Sequence, residues 1–220
     1  MIPDSLIPLV ASALIGYLLG SIPSGYIAVK AATGQDIRKI GSGRTGGTNV
    51  YRAAGRAAFF ATILGDIGKG ALGVILSRLL FGSSTQPIGV FALNDLAQLV
   101  AGFCALLGNN WSLYLRGRGG AGVMTATGTM LVIAPVPILL VAWFPVLLVR
   151  LTHIASIGSL TAAILFPLVF AILAYAGIEP VSHLLYVIVG GLLLVVVHRP
   201  NIERLMQGKE RRIGEPAKKE

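Results

Sequence analysis

Between Asp36 and Arg52 the chain reads Asp-Ile-Arg-Lys-Ile-Gly-Ser-Gly-Arg-Thr-Gly-Gly-Thr-Asn-Val-Tyr-Arg. Gly41, Gly43, Gly46 and Gly47 let the backbone take positive φ and turn successive N–H groups inward, as in an anion-binding nest. Arg38, Lys39, Arg44 and Arg52 supply positive charge, while Ser42, Thr45, Thr48 and Asn49 supply neutral hydrogen-bonding groups. That combination suits the holding of phosphate. The bland alternative is a solvated positive loop that only fixes topology. Such a loop needs Lys and Arg but neither the glycines nor the Ser/Thr/Asn run.

A second polar segment, 109–122, closes with Arg118-Gly-Gly-Ala-Gly122 just before an apolar run. It places the backbone donors of Gly119, Gly120 and Gly122 at a helix N-terminus, which favours anions. Trp111 and Tyr114 within it suit a membrane-interface belt. Asp66 and Lys69 are three residues apart inside another apolar run and share a helix face. Ionisable groups at membrane depth point inward and pair, here either as a self-neutralising structural pair or as a support for the glycine loop. Ser156 and Ser159 open an apolar run and read as capping or packing residues. His198-Arg-Pro-Asn201 ends the last apolar run, so His198 reads either as a structural histidine or, beside Asn201, as part of the site.

Other chemistries find no support. His153 and His183 stand apart, and the histidines and carboxylates show no metal-ligand spacing. Cys104 is the single cysteine, which leaves no disulfide framework. Gly41 to Gly46 spells the dinucleotide-binding G-x-G-x-x-G, but the run before it is a long apolar segment rather than a strand of a βαβ unit.

The elements that must position these residues follow from composition. The chain has 220 residues, 55% hydrophobic and 12% charged, with mean hydropathy +0.79. A soluble domain carries about twice that charged fraction, so the expected class is an all-α polytopic membrane protein. The net charge of +9 lies in short loops between apolar runs, as positive-inside topology requires, and needs no nucleic-acid partner. With ~20 apolar residues per span, the spans are expected at about 5–29, 57–81, 91–108, two shorter helices within 123–149, 154–176 and 181–198. Pro135 and Pro137 mark the turn inside 123–149. This gives seven transmembrane helices in one domain over 1–220. The N-terminal segment lacks a basic n-region and reads as a first span rather than a cleaved signal peptide.

Loops 30–56 and 109–122, Arg150 and the tail 199–220 hold nearly all the Lys and Arg, whereas the alternate ends hold Asp4, Asp95 and Glu179. The expected orientation is N-terminus outside and C-terminus cytoplasmic. Arg78 is the exception, expected to snorkel to the outer interface. All glycine-rich and basic segments then face the cytoplasm and can meet at one site. A transporter is disfavoured, because the polar residues gather at one face rather than at midplane helix breaks.

These residues carry a family resemblance. The chain resembles the acyl-phosphate-dependent glycerol-3-phosphate acyltransferases of bacterial membranes, known as PlsY, through Gly20-Ser-Ile-Pro-Ser-Gly25, Asp36-Ile-Arg38, Gly41-Ser-Gly43, Thr48-Asn-Val50 and Arg52. It continues through Asp66-Ile-Gly-Lys-Gly70, Gly108 to Gly122, Ser156-Ile-Gly-Ser159, His198-Arg-Pro-Asn-Ile202, Arg204-Leu205, Gly208 and Glu210. The resemblance implies seven helices in the inner (plasma) membrane and an active site at the cytoplasmic face. The implied reaction moves a fatty acyl group from acyl phosphate to sn-glycerol 3-phosphate, giving lysophosphatidic acid and phosphate, without cofactor, metal or acyl-enzyme. Implied partners are these substrates, membrane lipid and the acyl-phosphate-producing enzyme PlsX.

The resemblance places Ser42, His198 and Asn201 at the reacting centre. Substrate phosphate falls to Gly41, Gly43, Arg44, Thr48, Asn49, Arg52, Arg118, Gly119, Gly120 and Gly122. Asp36, Arg38, Asp66, Lys69, Asn109, Ser156, Ser159 and Glu210 are support. A substrate phosphate or His198 would serve as base.

The sequence departs from the family pattern at several points. Asn109 stands where His is usual, Ser112 where Pro is usual, and Ala121 where a phosphate-binding lysine is usual. Arg44 replaces an Asn, Gly47 an Ala, and Pro200 an acidic residue. Two readings follow. In one, Arg44 supplies from the facing loop the charge lost at Ala121, and acyl transfer survives. In the other, the chain is a non-catalytic or altered-acceptor paralogue that binds an anionic lipid or phosphate.

Overall fold

The computed structural model describes residues 5–214. Asp4 and the tail lysines Lys218 and Lys219, which enter the charge argument, lie outside the described residues. The first apolar run breaks at Pro23 into α1 (Leu6–Gly20) and α2 (Ser24–Thr33). After a short 3-10 turn at Ile37–Lys39 comes α3 (Gly47–Phe81), interrupted at Gly55 with φ 77. A minimal hairpin, β1 (Pro87–Ile88) and β2 (Phe91–Ala92), leads into α4 (Leu93–Asn110). Beyond it lie α5 (Val123–Ile133), α6 (Pro135–Val141), α7 (Trp143–Thr152), α8 (Ala155–Tyr175), α9 (Leu184–Val197) and α10 (Arg199–Met206).

The expected apolar segments are helical, but fewer meet the demands of a bilayer. Leu6–Thr33, Gly47–Phe81, Pro135–Thr152 and Ala155–Tyr175 are long and apolar enough to cross, and Val181–Val197 with Arg199–Met206, bent by 57°, adds a fifth. Polar residues at both ends dilute α4, and α5 has only 11 residues. The break near Pro135 falls where the prolines place it.

Two boundaries and one side chain differ from expectation. The loop expected over 30–56 shrinks to 34–46, because α2 runs to Thr33 and α3 already starts at Gly47. The first part of the tail is not irregular but folds as α10. Arg78 does not simply snorkel: its Nε donates to Gln98 Oε1 at 2.7 Å and its Nη2 to Val132 O at 2.9 Å, so it caps the C-terminal end of α5.

Close helix contact makes the scaffold stiff. An added Cβ at Gly16 or Gly20 of α1 would lie 2.1–2.2 Å from the Ala101 and Ala105 carbonyl oxygens of α4, and one at Gly128 of α5 would lie 2.0 Å from Ile67 O of α3. Small residues at such crossings let helices approach in lipid, where packing rather than water exclusion drives association. The remaining core, with Met130, Ile138, Phe166, Phe170 and Val187 buried together, joins α5 and α6 to α8 and α9.

Candidate active site

The glycine loop is built by its own sequence. Asp36 caps the 3-10 turn, accepting from Arg38 N at 3.0 Å, and pairs with the Arg38 guanidinium at 2.6 Å. Hydrogen bonds from Arg38 hold the Asp36 carboxyl down at about 2. Arg38 also lies over the Tyr26 ring, 5.3 Å from its centre. Gly41 and Gly43 follow with φ 61 and 67, the left-handed conformation that glycine adopts without strain.

Asn49 then fastens the loop. Its Nδ2 donates to Ile40 O at 2.9 Å and Arg44 O at 3.0 Å, and its Oδ1 accepts from Ser42 N at 3.3 Å. Both amide donors are thus engaged with backbone, so Asn49 shapes the glycine loop. Ser42 is exposed on that loop, and Thr48 sits in the first turn of α3.

Loop 109–122 is docked against it. Thr45 N donates to Gly119 O at 3.3 Å, and Gly120 N donates to Asn109 O at 2.9 Å. A Cβ at Gly119 would sit 2.1 Å from Asn109 O, so only glycine fits that crossing. Gly122, at φ 82, turns the chain into α5, whose first-turn N–H groups have no intrahelical partner. Asp36, Arg38 and Lys39 face Leu115, Arg116 and Arg118 across a solvent-open hollow of about 330 Å³, a basic vestibule beside the loop.

Beneath the loops lies the Asp66–Lys69 pair. The buried Lys69 ammonium reaches Asp66 Oδ1 at 2.7 Å, Asn109 Oδ1 at 2.7 Å and Ile22 O at 2.8 Å, so its three protons are all taken. The pair is therefore a strut: it ties α3 to the break after α1 and to Asn109, which in turn carries Gly120.

The third wall comes from α9 and α10. Arg44 Nη2 donates to Val197 O at 3.0 Å, bringing its guanidinium beside His198. Burial, and then the nearby Arg204, lower the Arg44 pKa. His198, only 3% exposed, has its Nδ1 2.8 Å from Leu194 O. A carbonyl accepts only, so Nδ1 carries the proton and Nε2 of the neutral ring keeps its lone pair.

Glu210 collects the rest. It accepts from Ser156 Oγ at 2.9 Å, Asn201 Nδ2 at 2.7 Å and Arg204 Nε at 2.6 Å. Burial raises its pKa, but these three hydrogen bonds outweigh that and leave it lowered. Arg52 Nη2 donates to Arg212 O at 3.0 Å, and Ile213 N to His153 O at 2.7 Å, so the segment after α10 is clasped over the site. Among the described residues, Ser159 bonds only Ala155 O of its own helix. Arg204, absent from the expected site, is central to this network. The run Arg204 to Glu210 offers no helical period, because the two meet across a turn.

Because the Glu210 pKa is depressed, the clasp's contribution is present above the ordinary carboxylate range and lost as pH falls through the folded value. Glu210→Gln is expected to remove the charged partner of Arg204, cost about 1–2 kcal/mol after allowing for the partly exposed arginine, and flatten the acid limb of stability. Thermal unfolding in detergent between pH 3 and 7 measures this. An unchanged acid limb in the variant would contradict it.

Fold and site together define a helical membrane protein whose loops build a basic, glycine-lined surface at one end of the bundle. The sequence profile described as Glycerol-3-phosphate acyltransferase matches residues 10–208. Glycerol-3-phosphate acyltransferase 3 of Dehalococcoides mccartyi (strain CBDB1) is 37% identical over 207 residues, covering 93% of this chain and 95% of the relative. A glycerol-3-phosphate acyltransferase of Synechococcus sp. (strain CC9902) is 39% identical over 205 residues, with 93% and 94% covered. The crystal structure of PlsY (YgiH), an integral membrane glycerol 3-phosphate acyltransferase in its glycerol 3-phosphate form, superposes with a TM-score of 0.79 at 30% identity over 94% of this chain and 96% of that one. Its lysophosphatidic acid form gives 0.75 at 29% identity over 94% and 95%. The chain belongs to the glycerol-3-phosphate acyltransferase family.

Proposed function

We propose that this chain transfers a fatty acyl group from acyl phosphate to the primary hydroxyl of sn-glycerol 3-phosphate, the first acylation of phospholipid synthesis. The observation that carries this is the joining of the Arg44 loop, the Gly119–Gly122 loop and His198 through the Thr45–Gly119 and Arg44–Val197 hydrogen bonds. One basic, backbone-rich surface then faces two phosphates. The hydroxyl oxygen bonds to the acyl carbon, the carbon–oxygen bond to phosphate breaks, and the hydroxyl proton passes to His198 Nε2 or a substrate phosphate oxygen. Acyl phosphate is already activated, so positioning and charge stabilisation carry the rate.

The same reading makes 1–220 one domain of seven spans in the plasma (inner) membrane. Its N-terminus is outside and the site faces the cytoplasm, where PlsX supplies acyl phosphate. The apolar helices and the integral-membrane PlsY neighbour support it. The competing reading, a non-catalytic or altered-acceptor paralogue that binds an anionic lipid or phosphate, draws on the departures at Asn109 and Ala121. Expression in a bacterium depleted of its own acyl-phosphate-dependent enzyme is expected to restore growth. Failure of a membrane-inserted protein to restore it would favour the competing reading.

A further inference from the structure

The basic hollow beside the glycine loop has Arg38 and Lys39 on one wall and Arg116 and Arg118 on the other, with Asp36 and Leu115 completing it. These four cations meet one carboxylate, and Asp36 is already taken by Arg38. Among the described residues, the side chains of Lys39, Arg116 and Arg118 donate no hydrogen bond and form no ion pair. Like charges gathered around about 330 Å³ repel one another unless an anion lies between them. Arg116 also holds a left-handed backbone, φ 55 and ψ 51, which glycine would adopt with less strain. None of Ser42, Arg44, Arg52, His198 and Asn201 lines the hollow, which separates it from the reacting centre.

The neighbouring turn indicates which anion fits. Ser112 Oγ donates to Ser21 O, and Leu113 N donates to Ser21 Oγ at 3.3 Å, so the turn is fixed against the end of α1. On it Trp111, Leu113 and Tyr114 stand exposed. Trp and Tyr of this kind lie at the headgroup level of a bilayer. One short segment therefore carries both lipid-seeking side chains and unpaired cations.

We propose that the hollow binds the phosphate of an anionic phospholipid headgroup between Lys39 and Arg116, with Arg38 and Arg118 beside it. Trp111, Leu113 and Tyr114 then meet the glycerol and acyl region of the same lipid. A free phosphate ion carries the charge but offers nothing to the apolar turn. Bound lipid ties the wall that leads into the glycine loop to the wall that leads into Gly119, two segments that also meet through the Thr45–Gly119 hydrogen bond. The site needs only a membrane-inserted chain, whatever reaction the chain performs.

The test places the full chain in phosphatidylcholine nanodiscs, with Trp143→Phe leaving Trp111 as the reporter. Its fluorescence is titrated with brominated phosphatidylglycerol or brominated phosphatidylcholine. Phosphatidylglycerol is expected to quench at about tenfold lower fraction, because each nearby cation attracts anionic lipid, and raised salt should weaken the preference. Lys39→Gln with Arg116→Gln should bring the two lipids level. Arg56→Gln with Arg150→Gln, which removes equal charge elsewhere, should leave the preference unchanged. All four residues are exposed, so the fold is expected to stand. Equal quenching by the two lipids in wild type would overturn the site. So would equal loss of preference in both double variants, which reports only attraction to net charge. Displacement of the brominated phosphatidylglycerol by inorganic phosphate, but not by sodium chloride of the same ionic strength, would overturn the lipid in favour of a free anion.

Discussion

Arg44→Ala is expected to lower kcat/KM by about 10–100-fold with the fold intact. On the proposed function, the interaction lost is a charge-assisted hydrogen bond to substrate phosphate, worth ~1.5–3 kcal/mol. Among the described residues, only one guanidinium nitrogen is tied to backbone, at Val197 O, and burial does not discharge a group that ordinarily titrates above 12. Because Ala121 lies in the facing loop, one residue from Gly120, a lysine there would present its ammonium to the same phosphate. Ala121→Lys in the Arg44→Ala background should therefore recover most of the loss, and the two changes should be non-additive in a double-mutant cycle. Arg44→Lys should fall between, keeping charge but not the planar fork. Equal activity of wild type and Arg44→Ala would end the idea that Arg44 replaces the missing lysine.

Lys69→Met is expected to destabilise the protein by ~3–5 kcal/mol, because it leaves the Asp66 carboxylate buried without its partner. It also frees Asn109 Oδ1 and Ile22 O, the two other acceptors of the ammonium. Since Asn109 carries Gly120, activity should fall further than the loss of folded protein explains. Pairing it with Asp66→Asn should regain part of the stability by removing the unpaired charge. Thermal unfolding of the purified single and double variants, read beside activity per folded molecule, checks both. A single variant as stable as wild type would show that Lys69 is not the strut.

What the sequence conveyed was local chemistry. The left-handed glycines at Gly41 and Gly43, the Asp36 cap, the Pro135 break and the inward Asp66–Lys69 pair all follow from residue type and short spacing. What it withheld were choices made in three dimensions. That Asn49 fastens the loop by placing both its N–H groups on loop carbonyls shows only once the loop folds back. Arg78 looks like an interfacial snorkel until the open carbonyl of Val132 arrives beside it. Residues 199–206 carry too much charge to resemble a span, yet the helix forms as the chain turns onto the site. The Tyr186–Thr129 pair bridges α5 and α9 with no periodic signal, so only packing reveals it.

The most direct measurement is phosphate release by the purified protein given palmitoyl phosphate, with and without glycerol 3-phosphate. Release that requires the acceptor, matched by lysophosphatidic acid formed in equal amount, is the expected result. No acceptor-dependent release, beside an active family member under the same conditions, would contradict acyl transfer to glycerol 3-phosphate.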